Sequence, residues 1–151
     1  MAQTSEDSGL GEESFGFLIQ LLARRVETKM KTKLETVGVD IKLFANLITL
    51  YRRDGVNQRE LGRRLDFPEY YTSRNVDLLV KEGLVERRSD PDSRRTTLIF
   101  LTKKGRAMAS QLPRLIREAN KEHLATLTQK ERVLILELLQ KAAETSAAVT
   151  E

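Results

Sequence analysis

Apolar side chains recur along most of this chain at intervals of three and four, the period of an amphipathic helix. Phe15, Leu18, Leu22, Val26 and Met30 form one such stripe and predict a helix over about residues 14–35, with Lys/Arg filling its other face. Gly38 ends that segment, and Asp40 is placed to cap a second helix bearing Ile41, Phe44, Leu47, Ile48 and Tyr51. That helix stops at Asp54-Gly55, a turn signal. Asn57-Gln58-Arg59-Glu60 has the spacing of a capping box and opens a short helix over 58–65. Asp66-Phe67-Pro68 breaks the chain, and Pro68 suits the first turn of a fourth helix that ends at Gly83. The pattern then changes. Residues 84–88 read as a short strand, Asp90-Pro91-Asp92-Ser93 as a turn and 96–101 as a β-branched-rich strand. Thr102 caps a long helix to about residue 124, with Ala107, Met108, Leu112, Leu115 and Ala119 inward and a kink at Pro113. Thr128-Gln129-Lys130-Glu131, a second capping box, opens a last helix whose apolar positions include Val133, Leu134, Leu138 and Leu139.

A short helix, a tight break, a second helix and then a hairpin is the order of a winged helix-turn-helix. The fold class expected is therefore mainly α with a small β-hairpin wing, carried between N- and C-terminal helices. On the fourth helix Thr72, Val76, Leu79 and Val80 fall at core spacing, which leaves Tyr70, Tyr71, Ser73, Arg74 and Asp77 facing outward. Such a helix fits a major groove about 12 Å wide, while the hairpin arginines Arg87, Arg88, Arg94 and Arg95 reach phosphates or the adjacent minor groove. Two other readings stand beside these. Arg94 and Arg95 could brace the hairpin against Asp90 or Asp92, and Tyr70 and Tyr71 could equally pack on the wing.

Charge sharpens the picture only once it is located. The chain of 151 residues has a net charge of +4, but residues 52–106 hold 14 Lys/Arg against 9 Asp/Glu, and the remainder 12 against 13. The positive excess thus lies in the helix-turn-helix and hairpin segment, which on charge alone fits a basic binding surface and a plain solvated face equally well. With no Cys, disulfides, thiolate metal sites and thiol redox sensing are excluded, and the single His, His123, argues against multi-His metal sites and Ser/His catalysis. No nucleophile elbow, Walker loop or zinc-protease motif occurs, and paired carboxylates fall only on charged helical faces and in the acidic tail, so an enzyme is not expected. No cofactor is expected either. The apolar runs are too short and interrupted to span a membrane, and no basic start precedes an apolar run, so a cytoplasmic protein is expected.

The sequence resembles the MarR family of bacterial transcription regulators over about residues 14–145. Three blocks carry the resemblance in order: Lys81-Glu82-Gly83-Leu84-Val85-Glu86-Arg87, then Asp90-Pro91-Asp92-Ser93-Arg94-Arg95, then Leu101-Thr102-Lys103-Lys104-Gly105. They look like the family's recognition-helix end, wing tip and start of its long fifth helix. The resemblance implies a homodimer reading a palindromic operator in double-stranded DNA, most simply as a repressor. It also implies dimerisation helices (14–36 and 103–145) on either side of a DNA-binding lobe (37–102), while the small, polar, acidic residues 1–13 read as a disordered tail and the Ala/Thr/Ser-rich residues 146–151 as a frayed end. Arg74 matches a frequent family arginine on the recognition helix, Ser73 a small hydroxyl residue, and Arg94 and Arg95 the wing-tip pair. Ser93 stands where the family often has an acid, and Pro68 where it often has Ser.

The resemblance further implies an effector crevice between the dimer helices and the reading lobe. Phe17, Leu21, Phe44, Ile48 and Tyr51 would supply apolar walls, and Arg24 or Arg25 would meet a carboxylate. Some relatives sense peroxide through Cys or metal through His/Cys/Glu clusters, and this chain lacks that chemistry. A small aromatic or carboxylate effector remains, or none. The alternative function is an architectural or adaptor winged-helix protein without an effector.

Overall fold

The computed structural model describes residues 14–148, with side chains described as far as residue 144; the tail expected over residues 1–13 and the last three residues lie outside them. The described residues divide into two compact units, parted between Ile116 and Arg117. The first contains α1 (Phe15–Glu35), α2 (Ile41–Arg52), β1 (Val56–Asn57), α3 (Gln58–Leu65), α4 (Glu69–Lys81), β2 (Val85–Asp90), β3 (Ser93–Leu101), α5 (Lys103–Ala109) and the start of α6 (Leu112–His123). The second continues α6 and adds α7 (Gln129–Ala148).

Four helices of the first unit, α1, α2, α3 and α5, begin where a local acceptor satisfies one of their first amides. Ser14 Oγ accepts from the Phe17 N–H at 3.2 Å, Asp40 Oδ1 from Lys42 at 2.8 Å, Asn57 Oδ1 from Glu60 at 2.7 Å and Thr102 Oγ1 from Gly105 at 3.0 Å. The box expected at Asn57–Glu60 is half formed, because the Glu60 carboxylate turns away to Arg63 and Arg64 instead of returning to Asn57. The capping residue of α4 is Pro68, which offers no side-chain acceptor. The break before it is made by Asp66 in the left-handed region (φ 52), a conformation short polar side chains tolerate better than most.

The hairpin is longer than its apolar pattern suggested, and it has a third strand. The sheet order is β1-β3-β2, all antiparallel, with Val56 opposite Ile99 and Val85 opposite Leu101. Strand β1 has two residues, too few for any periodicity to register. The sheet's inner side chains Val85, Ile99 and Leu101 are buried with Leu47, Leu50, Leu61 and Leu79 of the helices. Each such burial is worth about 1.5–3 kcal/mol relative to exposure.

The long helix expected from Thr102 is two helices, α5 and α6, parted at Ser110-Gln111. Pro113 lacks the N–H that would bond the Ala109 carbonyl, so α5 ends at Ala109 and the proline falls in the first turn of α6, where no amide is needed. Leu112, Leu115 and Ala119 are buried as expected, whereas Ala107 is exposed and Met108 half-buried. Ala107 is small enough that its place in the stripe carried little information.

In the second unit the box at Thr128 is complete. Glu131 Oε2 accepts from the Thr128 N–H at 2.7 Å, and the Glu131 N–H donates to Thr128 Oγ1 at 3.4 Å. The backbone hydrogen bond from Thr128 lowers the Glu131 pKa. Arg132 Nε donates to the Leu124 and Leu127 carbonyls at 2.9 and 3.0 Å, satisfying acceptors at the turn into α7. The apolar residues Val133, Leu134, Leu136, Leu138 and Leu139 of α7 are all exposed, as are Phe15, Phe17, Leu18, Leu22 and Val26 of α1. The stripes exist where the sequence puts them, and among the described residues they are left exposed.

Candidate nucleic-acid interface

The helix-turn-helix is held by one close approach. A Cβ on Gly62 of α3 would lie 2.9 Å from Thr72 Oγ1 of α4, so the two helices meet at a glycine. Thr72 is buried there, its hydroxyl donating to the Pro68 carbonyl at 3.2 Å. The buried face of α4 is Thr72, Asn75, Val76 and Leu79. Val80, expected inward, is exposed, and Asn75 takes a core position with Nδ2 donating to the Lys42 carbonyl at 3.3 Å. Residues 72, 75, 76 and 79 share one side of a 3.6-residue helix; Val80 lies at its margin.

The outward face then carries the residues singled out for DNA. Tyr70 is 70% exposed, Arg74 is exposed, and Ser73 is half-buried. Tyr71 is half-buried and meets Phe67 edge to face, with centroids 4.9 Å apart, so it packs on the inter-helix turn and not on the wing.

The four hairpin arginines separate into two kinds. Arg87 Nη2 donates to Asp77 Oδ1 of α4 at 2.6 Å. Arg88 donates to Glu86 through Nε at 2.8 Å and lies over the Phe100 ring at 4.5 Å. Arg94 and Arg95, near the tip, are exposed and have no ion-pair partner among the described residues. Neither Asp90 nor Asp92 braces them: Asp90 Oδ1 instead accepts from the Asp92 N–H at 2.9 Å and shapes the turn.

Sequence reasoning overlooked the basic side of α3. Arg59 and Arg63 are exposed and, with Gln58, Phe67 and Glu69, line a cleft of about 240 Å³ beside the start of α4. The density of arginine over 59–64 was the available signal. Glu60 lies among them, accepting from Arg63 Nε at 2.9 Å and Arg64 Nε at 2.9 Å. Hydrogen bonds from Arg63 and then Arg64 hold its carboxyl down at about 2, from an ordinary value of 4.5. A lowered folded-state pKa contributes stability that is present above 4.5 and disappears as pH falls from there through 2. Glu60→Gln is therefore expected to lower the denaturant midpoint at pH 7 and to match the wild type at pH about 2. A deficit unchanged across that window would show that the ion cluster is not its source.

The residues expected to line an effector crevice lie on α1 and α2. Phe17, Arg24 and Arg25 are exposed, and Leu21, Phe44, Ile48 and Tyr51 are half-buried. No helix among the described residues is long and apolar enough to cross a membrane.

A MarR family model matches residues 45–96, the stretch from mid-α2 to the wing. The transcriptional regulator BilQ of Clostridium symbiosum is 27% identical over 137 residues, covering 91% of this chain and 95% of its own. The transcriptional repressor Mb2911 of Mycobacterium bovis is 25% identical over 134 residues, 88% of this chain and 96% of its own. Among solved structures, a MarR regulator from Methanosarcina mazei has a TM-score of 0.82 at 29% identity, covering 89% of this chain and 97% of that one. A mutant of Escherichia coli MarR, complexed with operator DNA, has a TM-score of 0.78 at 26% identity, covering 84% of this chain and 91% of that one. This fold, these relatives and the MarR match across the reading helix and wing together support a MarR-family winged-helix regulator of transcription.

Proposed function

We propose that this chain acts in the cytoplasm as a repressor that binds a palindromic operator as a homodimer. One observation carries the reading of the DNA face. Arg74, Arg94 and Arg95 have no carboxylate partner among the described residues, whereas Arg63, Arg64, Arg87, Arg88 and Arg106 each have one. Unpaired guanidinium groups on a recognition helix and a wing tip are available to bases and phosphates. In this reading Arg74, Ser73 and Tyr70 meet base edges, Tyr71 steadies the helix start, and Arg94 and Arg95 reach phosphates or the minor groove.

The exposed stripes of α1 and α7 support residues 14–36 and 103–145 as dimerisation helices, with 37–102 as the reading lobe. Apolar faces of that length are seldom left to water, and an intertwined interface commonly buries more than about 2,000 Å². Sedimentation is expected to find a dimer at micromolar concentration, and removal of residues 125–151 to abolish both dimer and DNA binding. A stable, folded monomer would refute the assembly. Selection from random duplexes, followed by mobility shift, is expected to enrich a palindrome; equal binding to every duplex would favour an architectural role. A small aromatic or carboxylate effector, seated among Phe17, Leu21, Phe44, Ile48 and Tyr51 with Arg24 or Arg25 on its anion, would favour a lobe spacing that no longer fits the operator.

A further inference from the structure

Arg87 has the composition signature of a DNA contact but not the geometry of one. In β2 it stands opposite Ile99, on the same side of the strand as the buried Val85, so its side chain leaves the sheet toward the helices. Of the three β2 residues on that side, Val85, Arg87 and Ser89, it alone is charged. It meets Asp77 of α4 at 2.6 Å, three residues and nearly one helical turn beyond Arg74. Arg88, the next residue, points to the opposite side and is occupied by Glu86 and Phe100.

By exposure this pair is an ordinary surface bridge, and what sets it apart is where it sits. The Asp77 and Arg87 side chains are 63% and 37% exposed, which leaves the pair little to add to stability. Asp77 also places a negative charge on the helix that faces DNA, where any carboxylate opposes a phosphate backbone. A residue that helps stability little and repels the ligand needs another reason to be there. The reason available in the geometry is orientation. The pair links α4 to β2, so it fixes the angle between the helix that carries Arg74 and the hairpin that carries Arg94 and Arg95.

We propose that Asp77 and Arg87 are positioning residues that lock the recognition helix to the wing, and that Arg87 acts through Asp77 instead of through a phosphate. The proposal rests on the reading of the DNA face given above. It assigns sequence selectivity, not general affinity, to the pair, because only a selected site requires helix and wing contacts to be satisfied together.

The test turns on sign. The probes are the duplex enriched by the full-length wild-type chain and a scrambled duplex of equal length, both titrated at several salt concentrations. If the two side chains act as plain charges, Asp77→Asn tightens binding to both duplexes. Arg87→Gln then weakens both and lowers the salt slope by about one unit, and the double variant returns near wild type. If they position, each single substitution weakens the enriched duplex by about tenfold, and the double variant is no worse than either single. The scrambled duplex and the salt slope then stay unchanged. Thermal melting of each variant close to wild type confirms that folding is intact. Tighter binding by Asp77→Asn, or additive effects in the double variant, would overturn the inference while leaving the DNA face in place. Failure of the wild-type chain to enrich any sequence would overturn that reading, and this inference with it.

Discussion

Gly105→Ala is expected to cost this protein about 3 kcal/mol, at the upper end of overpacking effects, and to lower its melting temperature by roughly 6–12 °C. The glycine is the second buried residue of the Leu101-Thr102-Lys103-Lys104-Gly105 block, and it is buried against backbone. A Cβ there would lie 1.8 Å from the Leu84 carbonyl oxygen and 2.8 Å from its carbon. Neither atom can step aside as a side chain could. The Thr102 N–H donates to the same Leu84 carbonyl at 3.1 Å, the Thr102 hydroxyl to the Gly83 carbonyl at 2.6 Å, and the Lys104 ammonium to the Glu82 carbonyl at 2.9 Å. The start of α5 is thus laid across the end of α4, and a methyl group would lift it off. Since Arg106 also donates to Asp54 at 2.8 Å, with the Leu101 N–H on the same carboxylate oxygen at 3.2 Å, the displaced helix would loosen the base of the wing as well. Denaturant and thermal melts check the effect. A midpoint within about 2 °C of wild type would mean that α5 is free to shift at no cost.

That clamp explains why two of the sequence blocks seemed distinctive without revealing what they did. Gly83 could be placed from sequence as a helix terminator, and it has the positive φ (71°) that such a terminator requires. Gly105 could not, because its reason is a carbonyl 21 positions earlier in the chain. The same division runs through the molecule. Caps, breaks and helical stripes are local, and Asp40, Asn57, Thr102 and Thr128 are all legible from their immediate neighbours. Strand β1 has two residues that hold their place only by pairing with β3, and Asn75 is buried only because the Lys42 carbonyl waits for it. Val80 was misplaced because an apolar residue at the edge of a stripe is assigned by hydrophobicity, while its burial is decided by which neighbour arrives.

The arginines show the same limit in charge. Composition counts Arg87, Arg88, Arg94 and Arg95 alike, and a basic hairpin follows from any of them. Which ones remain available depends on where Asp77, Glu86 and Asp90 fall across the hairpin and the helix. The exposed stripes of α1 and α7 sit at the other extreme. Their existence was plain from spacing, and their cover belongs to a second molecule if the proposed assembly is correct.

The two unpaired sites on the DNA face are expected to fail differently when removed. Arg74→Ala is expected to cost about 1–3 kcal/mol against the enriched duplex, with the preference erased at one base position in each half-site, because a bidentate guanidinium distinguishes guanine from other bases. The salt slope should change little. Arg94→Ala and Arg95→Ala are expected to weaken enriched and scrambled duplexes together, lowering the salt slope by about one unit for each phosphate no longer neutralised. Removing an arginine that enters a narrow minor groove would instead erase a preference for A·T-rich flanks, which lie outside the base positions read by α4. With twofold symmetry the affected positions should recur at about 34–36 Å, one turn of duplex apart. Selection repeated with each variant reads all of this at once. An unchanged logo for Arg74→Ala would remove α4 from base reading. A sharpened logo for the wing variants would instead show that the hairpin supplies attraction to every sequence, leaving the choice among them to the helix.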